Sequence, residues 1–206
     1  MSTYAATFVA SVFAAAVLAV ETSDAALIVV NDHSAFGLIT GNSGIVTHDQ
    51  DFSAYQGFLD SISGGTGATS WMASANGGLF VGGASELSTA AADSALLFTF
   101  DSPDVYAFGG NFYLTNHNFG FISGLIQIEL TDGSMYVANV TSSHAFSGFM
   151  STGAAISQVS ISPFGTQPGA YATVSEITIG VIPAPSSLAL LGFAALGSSG
   201  RRRRAR

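Results

Sequence analysis

The stretch Leu125-Ile126-Gln127-Ile128-Glu129-Leu130-Thr131-Asp132-Gly133-Ser134-Met135-Tyr136-Val137 decides the fold class. Ile126, Ile128 and Leu130 alternate with Gln127 and Glu129. A period of two puts the three aliphatic side chains on one face of a strand and the two polar ones on the other. Asp132-Gly133 supplies the residue types that tolerate positive φ in a tight turn, so the chain reverses there as a β-hairpin.

Working outward, short apolar or alternating runs recur at Leu27–Val30, Gly44–Thr47, Ser70–Ala73, Gly78–Val81, Ala95–Phe100, Val105–Leu114, Ser134–Val140, Ala145–Met150, Ile156–Ser162 and Tyr171–Gly180. Many short strands separated by turn signals predict an all-β domain. Val174–Ile179 alternates, with Val174 out of step unless a bulge intervenes. One helix is predicted over Asp51–Ser63, with Asp51 as N-cap, an apolar stripe of Phe52, Tyr55, Phe58, Leu59 and Ile62, and Gly64-Gly65 as its end.

Charge is sparse and unevenly placed. Only 9% of the 206 residues are charged and the formal net charge is −8. There is no Lys, and all five basic side chains are Arg201, Arg202, Arg203, Arg204 and Arg206. Of the 13 acidic residues only Glu21 and Asp24 precede Ala26, so the body from Ala26 to Gly180 carries eleven carboxylates and no cation. Such a body repels phosphate backbones, which excludes nucleic acid as a partner. The absence of Cys removes disulfides, thiolate metal sites and a Cys nucleophile.

The two ends are built differently. Tyr4 to Val20 is an unbroken run of apolar and small residues, stopped by Glu21 and Asp24. Ser23-Asp24-Ala25 places small residues at −3 and −1 of a cut after Ala25, so residues 1–25 read as a secretory signal peptide handled by the translocon and signal peptidase. At the other end Pro183-Ala184-Pro185 is followed by the apolar run Ser186–Gly200 and then the arginines. The prolines break regular structure, residues 186–200 form an apolar transmembrane helix, and the arginines at 201–206 act as a cytoplasmic stop. As a helix that run spans ~22 Å against ~30 Å of hydrocarbon, short enough for a segment meant to be removed.

These three parts in this order resemble the PEP-CTERM sorting signal of exported bacterial proteins. That signal has a Pro-Glu-Pro motif, a short helix rich in Leu, Ala and Gly, and an Arg-rich terminus. The resemblance implies recognition by an exosortase, a membrane transpeptidase with a Cys nucleophile. The present chain departs from it at Ala184, which stands where the motif has Glu. The segment Ala95–Gly180 also resembles the β-sandwich that precedes many such tails. The likeness rests on Leu97–Phe100, Pro103, Gly109-Gly110-Asn111-Phe112, Asp132-Gly133, Phe146-Ser147-Gly148-Phe149 and Ile177–Gly180. Ser175-Glu176 stands where that pattern often has Asp-Asn. The resemblance implies a jelly-roll-like or lectin-like sandwich over 26–180, with the sorting tail over 181–206.

No residue set in the middle specifies a reaction. His33, His48, His117 and His144 are scattered, and no Gly-x-Ser-x-Gly elbow is present. Asp49 with Asp51, and Asp101 with Asp104, offer paired oxygen ligands of the type calcium accepts, so calcium is the one cofactor the sequence suggests. Trp71 and Tyr113, with Asn111 and Asn116, supply rings and amides of the type that bind sugars. The leading expectation is therefore an exported, non-catalytic surface or matrix protein. Its precursor is held in the membrane and then delivered to the cell surface by an exosortase. A carbohydrate-binding module contacting polysaccharide through exposed aromatics is the alternative, with a secreted hydrolase ranked below it.

Overall fold

The computed structural model describes residues 27–66, 69–165 and 168–183. The expected signal segment 1–25, Ala184, Pro185, the helix over 186–200 and the arginine cluster lie outside the described residues. Among the described residues no helix is long and apolar enough to cross a membrane.

The elements follow in chain order as β1 (Leu27–Val30), α1 (His33–Asn42), β2 (Val46–Asp51), β3 (Gly57–Thr66), β4 (Thr69–Val81), β5 (Leu87–Thr89), β6 (Leu96–Phe100), β7 (Val105–Thr115), β8 (Phe121–Ile122), β9 (Gly124–Leu130), β10 (Met135–Val140), β11 (Phe146–Ser151), β12 (Gln158–Phe164) and β13 (Tyr171–Val181). They join into one sheet in the order β1-β11-β7-β13-β5-β4-β6-β12-β9-β10. Three further strands attach at its sides, β2 on β13, β3 on β4 and β8 on β7. The expected sandwich thus takes the form of a single jelly-roll-like sheet curled into a half-barrel. The curl follows from contacts between strands that are not ladder neighbours. Phe98 on β6 meets Phe108 on β7 with ring centroids 5.3 Å apart, and Tyr136 on β10 meets Phe149 on β11 at 5.6 Å.

The hairpin expected over Leu125–Val137 forms. β9 and β10 pair with Ile128 opposite Tyr136 and Ile126 opposite Ala138. Gly133 takes φ 81°, and Asp132 accepts from the Ser134 amide at 2.8 Å. Ile126, Ile128 and Leu130 are buried while Glu129 is exposed. The bulge that the phase of Val174 demanded lies between Val174 and Ile177, where the β13–β7 register shifts.

That bulge explains a glycine pair. The Glu176 carbonyl oxygen occupies the space in front of Gly110, and a Cβ there would sit 2.6 Å from it. Gly109 is filled in the same way by the Phe146 ring, 2.7 Å from a notional Cβ, and Gly148 by the Phe36 ring. The Gly-Gly-Asn-Phe and Phe-Ser-Gly-Phe motifs are therefore packing devices. They let two aromatic side chains and one bulged carbonyl lie flat on the backbone of β7 and β11.

The helix predicted over Asp51–Ser63 does not form. Asp51 ends β2 and closes a local turn by accepting from the Ser53 amide and hydroxyl at 3.0 and 2.6 Å, Gly57 takes φ 80°, and residues from 57 onward pair with β4 as β3. The supposed apolar stripe splits, with Phe52 and Ile62 buried and Phe58 76% exposed. The ladder to β4 satisfies the backbone of this segment from Gly57 onward, and Gly57 itself, at positive φ, interrupts any helix across 51–63. Among the described residues the single helix instead spans His33–Asn42. Asp32 caps it by accepting from Ala35 N at 2.7 Å, and Gly44 at φ 73° ends it. It buries Phe36 over a small satellite core of Val30, Ile45, Ala107, Phe146 and Met150. Three further differences concern strands. Ser70–Ala73 and Gly78–Val81 are the two ends of one strand, β4, and the short strands β5 and β8 had no periodic signal.

Trp71 lies inside, edge-on to Phe52 at 6.2 Å and tilted on Phe98 at 6.1 Å. Gly64 faces it across the β3–β4 ladder, and a Cβ there would come 2.5 Å from the indole. Gly64→Ala is expected to cost about 1–3 kcal/mol, as overpacking does when the displaced ring is hemmed on both sides. Thermal unfolding and the emission of this sole Trp should report it together, and an unchanged melting point would show that the indole has room to move.

Candidate functional site

The residues that the sequence offered as a sugar site are dispersed. Trp71 is 2% exposed and Tyr113 1%, so both rings are interior and offer no face to a ligand. Asn111 is part-buried on β7 opposite Phe146. Asn116 is consumed by its own turn, its Oδ1 accepting from the amides of Asn118 and Gly120 at 2.9 and 3.0 Å. Burial, and then the neighbouring Glu86, push the Tyr113 hydroxyl above its ordinary value, although no hydrogen bond closes on that oxygen.

The four aspartates offered for calcium are also engaged locally. Asp101 accepts from the Ser70 hydroxyl and amide at 2.6 and 2.8 Å, which lowers its pKa; the Ser53 hydroxyl and amide do the same for Asp51. Asp104 meets the Ser102 hydroxyl at 3.4 Å. Asp49 accepts from the Thr178 hydroxyl at 2.6 Å and lies 3.7 Å from His33 Nε2. Among the described residues no three His, Cys, Asp or Glu side chains gather as a metal site. The His33–Asp49 pair resembles half of a catalytic triad in composition only. Thr178 is 1% exposed and gives its proton to the carboxylate, and His33 stacks on Phe146 at 4.9 Å. The cluster ties the start of α1 to β2 and β13.

What the fold does bring to the surface is a row of phenylalanines from three distant segments. Phe58 on β3 lies directly opposite Phe80 on β4, and paired residues across a ladder share a face. Their rings meet edge-on at 4.8 Å, and the Phe119 ring stacks on Phe80 at 4.5 Å. Phe58 is 76% exposed and Phe119 43%. Phe119 sits at φ 61° in the turn between β7 and β8, a left-handed conformation that costs a non-glycine residue about 1–3 kcal/mol. The turn is held by Asn116, whose backbone amide donates to the Gly120 carbonyl and whose carbonyl accepts from the Phe119 amide, both at 2.9 Å. Under the turn lies a buried hydroxyl chain, Ser88 to Thr173 at 3.0 Å and Thr173 to Thr115 at 2.8 Å.

A groove of about 310 Å³ runs beside Phe58, lined also by Leu59, Asp60, Gly77, Gly78 and Leu79. It arises where the β3–β4 register jumps from Leu59 opposite Leu79 to Ser61 opposite Ser74. Asp60 stands alone on β3 at that break, exposed, against a four-residue excursion of β4. Gly77 and Gly78 both take positive φ, 86° and 87°, and a Cβ on Gly78 would crowd the Leu59 carbonyl at 3.0 Å. Sequence reasoning missed this site because the spacing of Phe58 and Leu59 also fits a helical stripe, and Asp60 and Phe119 carry no local signal. The Gly77-Gly78 pair inside an apolar strand was the only local signal of a bulge.

A jelly-roll-like β domain whose last strand runs directly into a proline-flanked C-terminal tail is the class that fold and sequence define together. Residues 181–204 of the tail match the family model of the PEP-CTERM protein-sorting motif, so a PEP-CTERM-like sorting domain is present there. A motif of this type implies interaction with an exosortase-type sorting system. No curated protein matches the chain. Among solved structures, the chain is similar to one titled as a family two carbohydrate esterase from Cellvibrio japonicus, at 13% identity and a TM-score of 0.38. The alignment covers 68% of this chain and 36% of that one, so the chain spans about a third of the esterase structure's length.

Proposed function

We propose that the chain is an exported, non-catalytic surface protein whose β domain is delivered to the cell exterior by its sorting tail. In this reading residues 1–25 direct export and are removed, residues 186–200 hold the precursor in the bilayer, and Arg201–Arg206 stop its transfer. An exosortase then acts near Pro183-Ala184-Pro185. The observation that carries the proposal is the sorting motif at 181–204. Its position supports the same reading. β13 ends at Val181, and the Ile182 amide still donates to the Asp104 carbonyl at 2.9 Å, so the domain is closed just before the prolines begin. An enzyme acting at Pro183 finds that residue outside the folded ladder. The non-catalytic part is supported by how the titratable groups are spent, since Asp49, Asp51 and Asp101 each close a structural hydrogen bond.

Intact-mass analysis of the protein recovered from its native envelope tests this. The expected species begins at Ala26 and lacks everything beyond the Pro183 region. Recovery of a mature species that still carries Arg201–Arg206 would replace sorting and cleavage by a permanent anchor.

A further inference from the structure

We propose that the Phe58–Phe80–Phe119 row and the Asp60 groove beside it form a binding surface for an uncharged polysaccharide chain. This goes beyond delivery to the surface and does not depend on how the tail is processed.

Three observations converge on it. The first is the ring row itself. Rings from three segments are held in contact at 4.5 and 4.8 Å while two of them stay open to solvent. Core packing does not account for a ring that is 76% exposed, nor for a Phe held at φ 61° on a turn stapled by its own Asn. Contiguous exposed apolar surface of this type marks a contact site, and backbone strain concentrates where a side chain must be aimed. The apolar C–H faces of pyranose rings pack on aromatic rings, and the exposed rings of Phe58 and Phe119 offer two such surfaces side by side with Phe80.

The second observation is the groove. Its volume, about 310 Å³, falls at the lower end of small-ligand sites, and its lining combines a ring edge with a free carboxylate. Asp60 lacks a ladder partner and is exposed, so its two oxygens are available to accept from adjacent sugar hydroxyls. The third is charge. Between residues 27 and 183 the chain has no Lys or Arg and eleven carboxylates, so a polyanionic glycan or a nucleic acid is repelled, while an uncharged chain is not. A protein partner would meet a surface without a single guanidinium or ammonium group to pair with. The observations favour the sugar.

The test is calorimetric titration of the full-length chain in detergent with cellohexaose, xylohexaose, maltohexaose and chitohexaose, and with an alginate hexasaccharide as the anionic control. Binding of at least one uncharged hexasaccharide and none of alginate is expected. Phe58→Ala and Phe119→Ala should each weaken that binding about ten-fold, the size of one lost aromatic contact, with melting points close to the parent. Asp60→Asn should weaken it as well, through loss of the charged acceptor. No binding to any uncharged sugar overturns the proposal. So does binding by the two Phe variants as tight as the parent's, or binding of alginate. Phe80→Leu, which keeps a large apolar side chain beneath the row, serves as a second variant should Phe119→Ala disturb its turn; retention of full affinity there counts against the row.

Discussion

Phe108→Ala is expected to destabilise the domain by about 3–5 kcal/mol, the usual cost of truncating a fully enclosed Phe. Its ring is 0% exposed and lies at the crossing of the aromatic core, 5.3 Å from Phe98, 5.6 Å from Phe100 and 5.8 Å from Phe112. Two of these neighbours belong to β6 and one to β7, so the ring joins opposing walls of the half-barrel. The walls are sheets fixed by their ladders and cannot collapse fully into the void, which places the cost at the upper end. For a domain of this size the melting point should fall by about 10 °C or more. Thermal unfolding of the full-length chain, followed by circular dichroism, checks it. A fall of only a degree or two would mean that the walls close over the cavity, and that the sheet is less rigid than its continuous pairing indicates.

Gly110→Ala is expected to be the most damaging single-methyl addition, at about 2–3 kcal/mol. The atom it meets is the Glu176 carbonyl oxygen, 2.6 Å from the new Cβ, and Phe112 closes the other side at 2.9 Å. A carbonyl inside a bulge cannot rotate away as a side-chain end can. Relief requires β13 to shift against β7 along a nine-pair ladder. Gly83→Ala is the matched control, because nothing lies within 4 Å of its notional Cβ. Equal melting points for the two variants would show that the bulge is soft and that Gly110 is not needed to seat it.

The end of the chain and the hairpin were legible for the same reason. A signal of local order, proline pair then apolar run then arginines, acts without tertiary context, and the matched motif at 181–204 agrees with it. The alternation of Ile126, Ile128 and Leu130 likewise specifies a strand before any partner is known, and even the bulge beyond Val174 showed as a break in phase. The segment 51–63 was misread because its apolar residues satisfy both a helical stripe and a strand. The choice was made by β4, which supplies the ladder that β3 completes.

The candidate site was illegible because it has no local signature. Trp71 and Tyr113, the most sugar-like rings by type, are needed inside the curl, while Phe58 and Phe119, unremarkable in sequence, are left outside. Sequence by itself determined the class of structure, the charge of the body and the sorting motif in the tail, since each of these depends on neighbours along the chain. Only the tertiary structure decided which rings face water and which carboxylate is free. Those properties depend on which strands become neighbours across the sheet, and ladder partners such as Phe58 and Phe80 lie more than a hairpin's reach from the Phe119 turn that completes them.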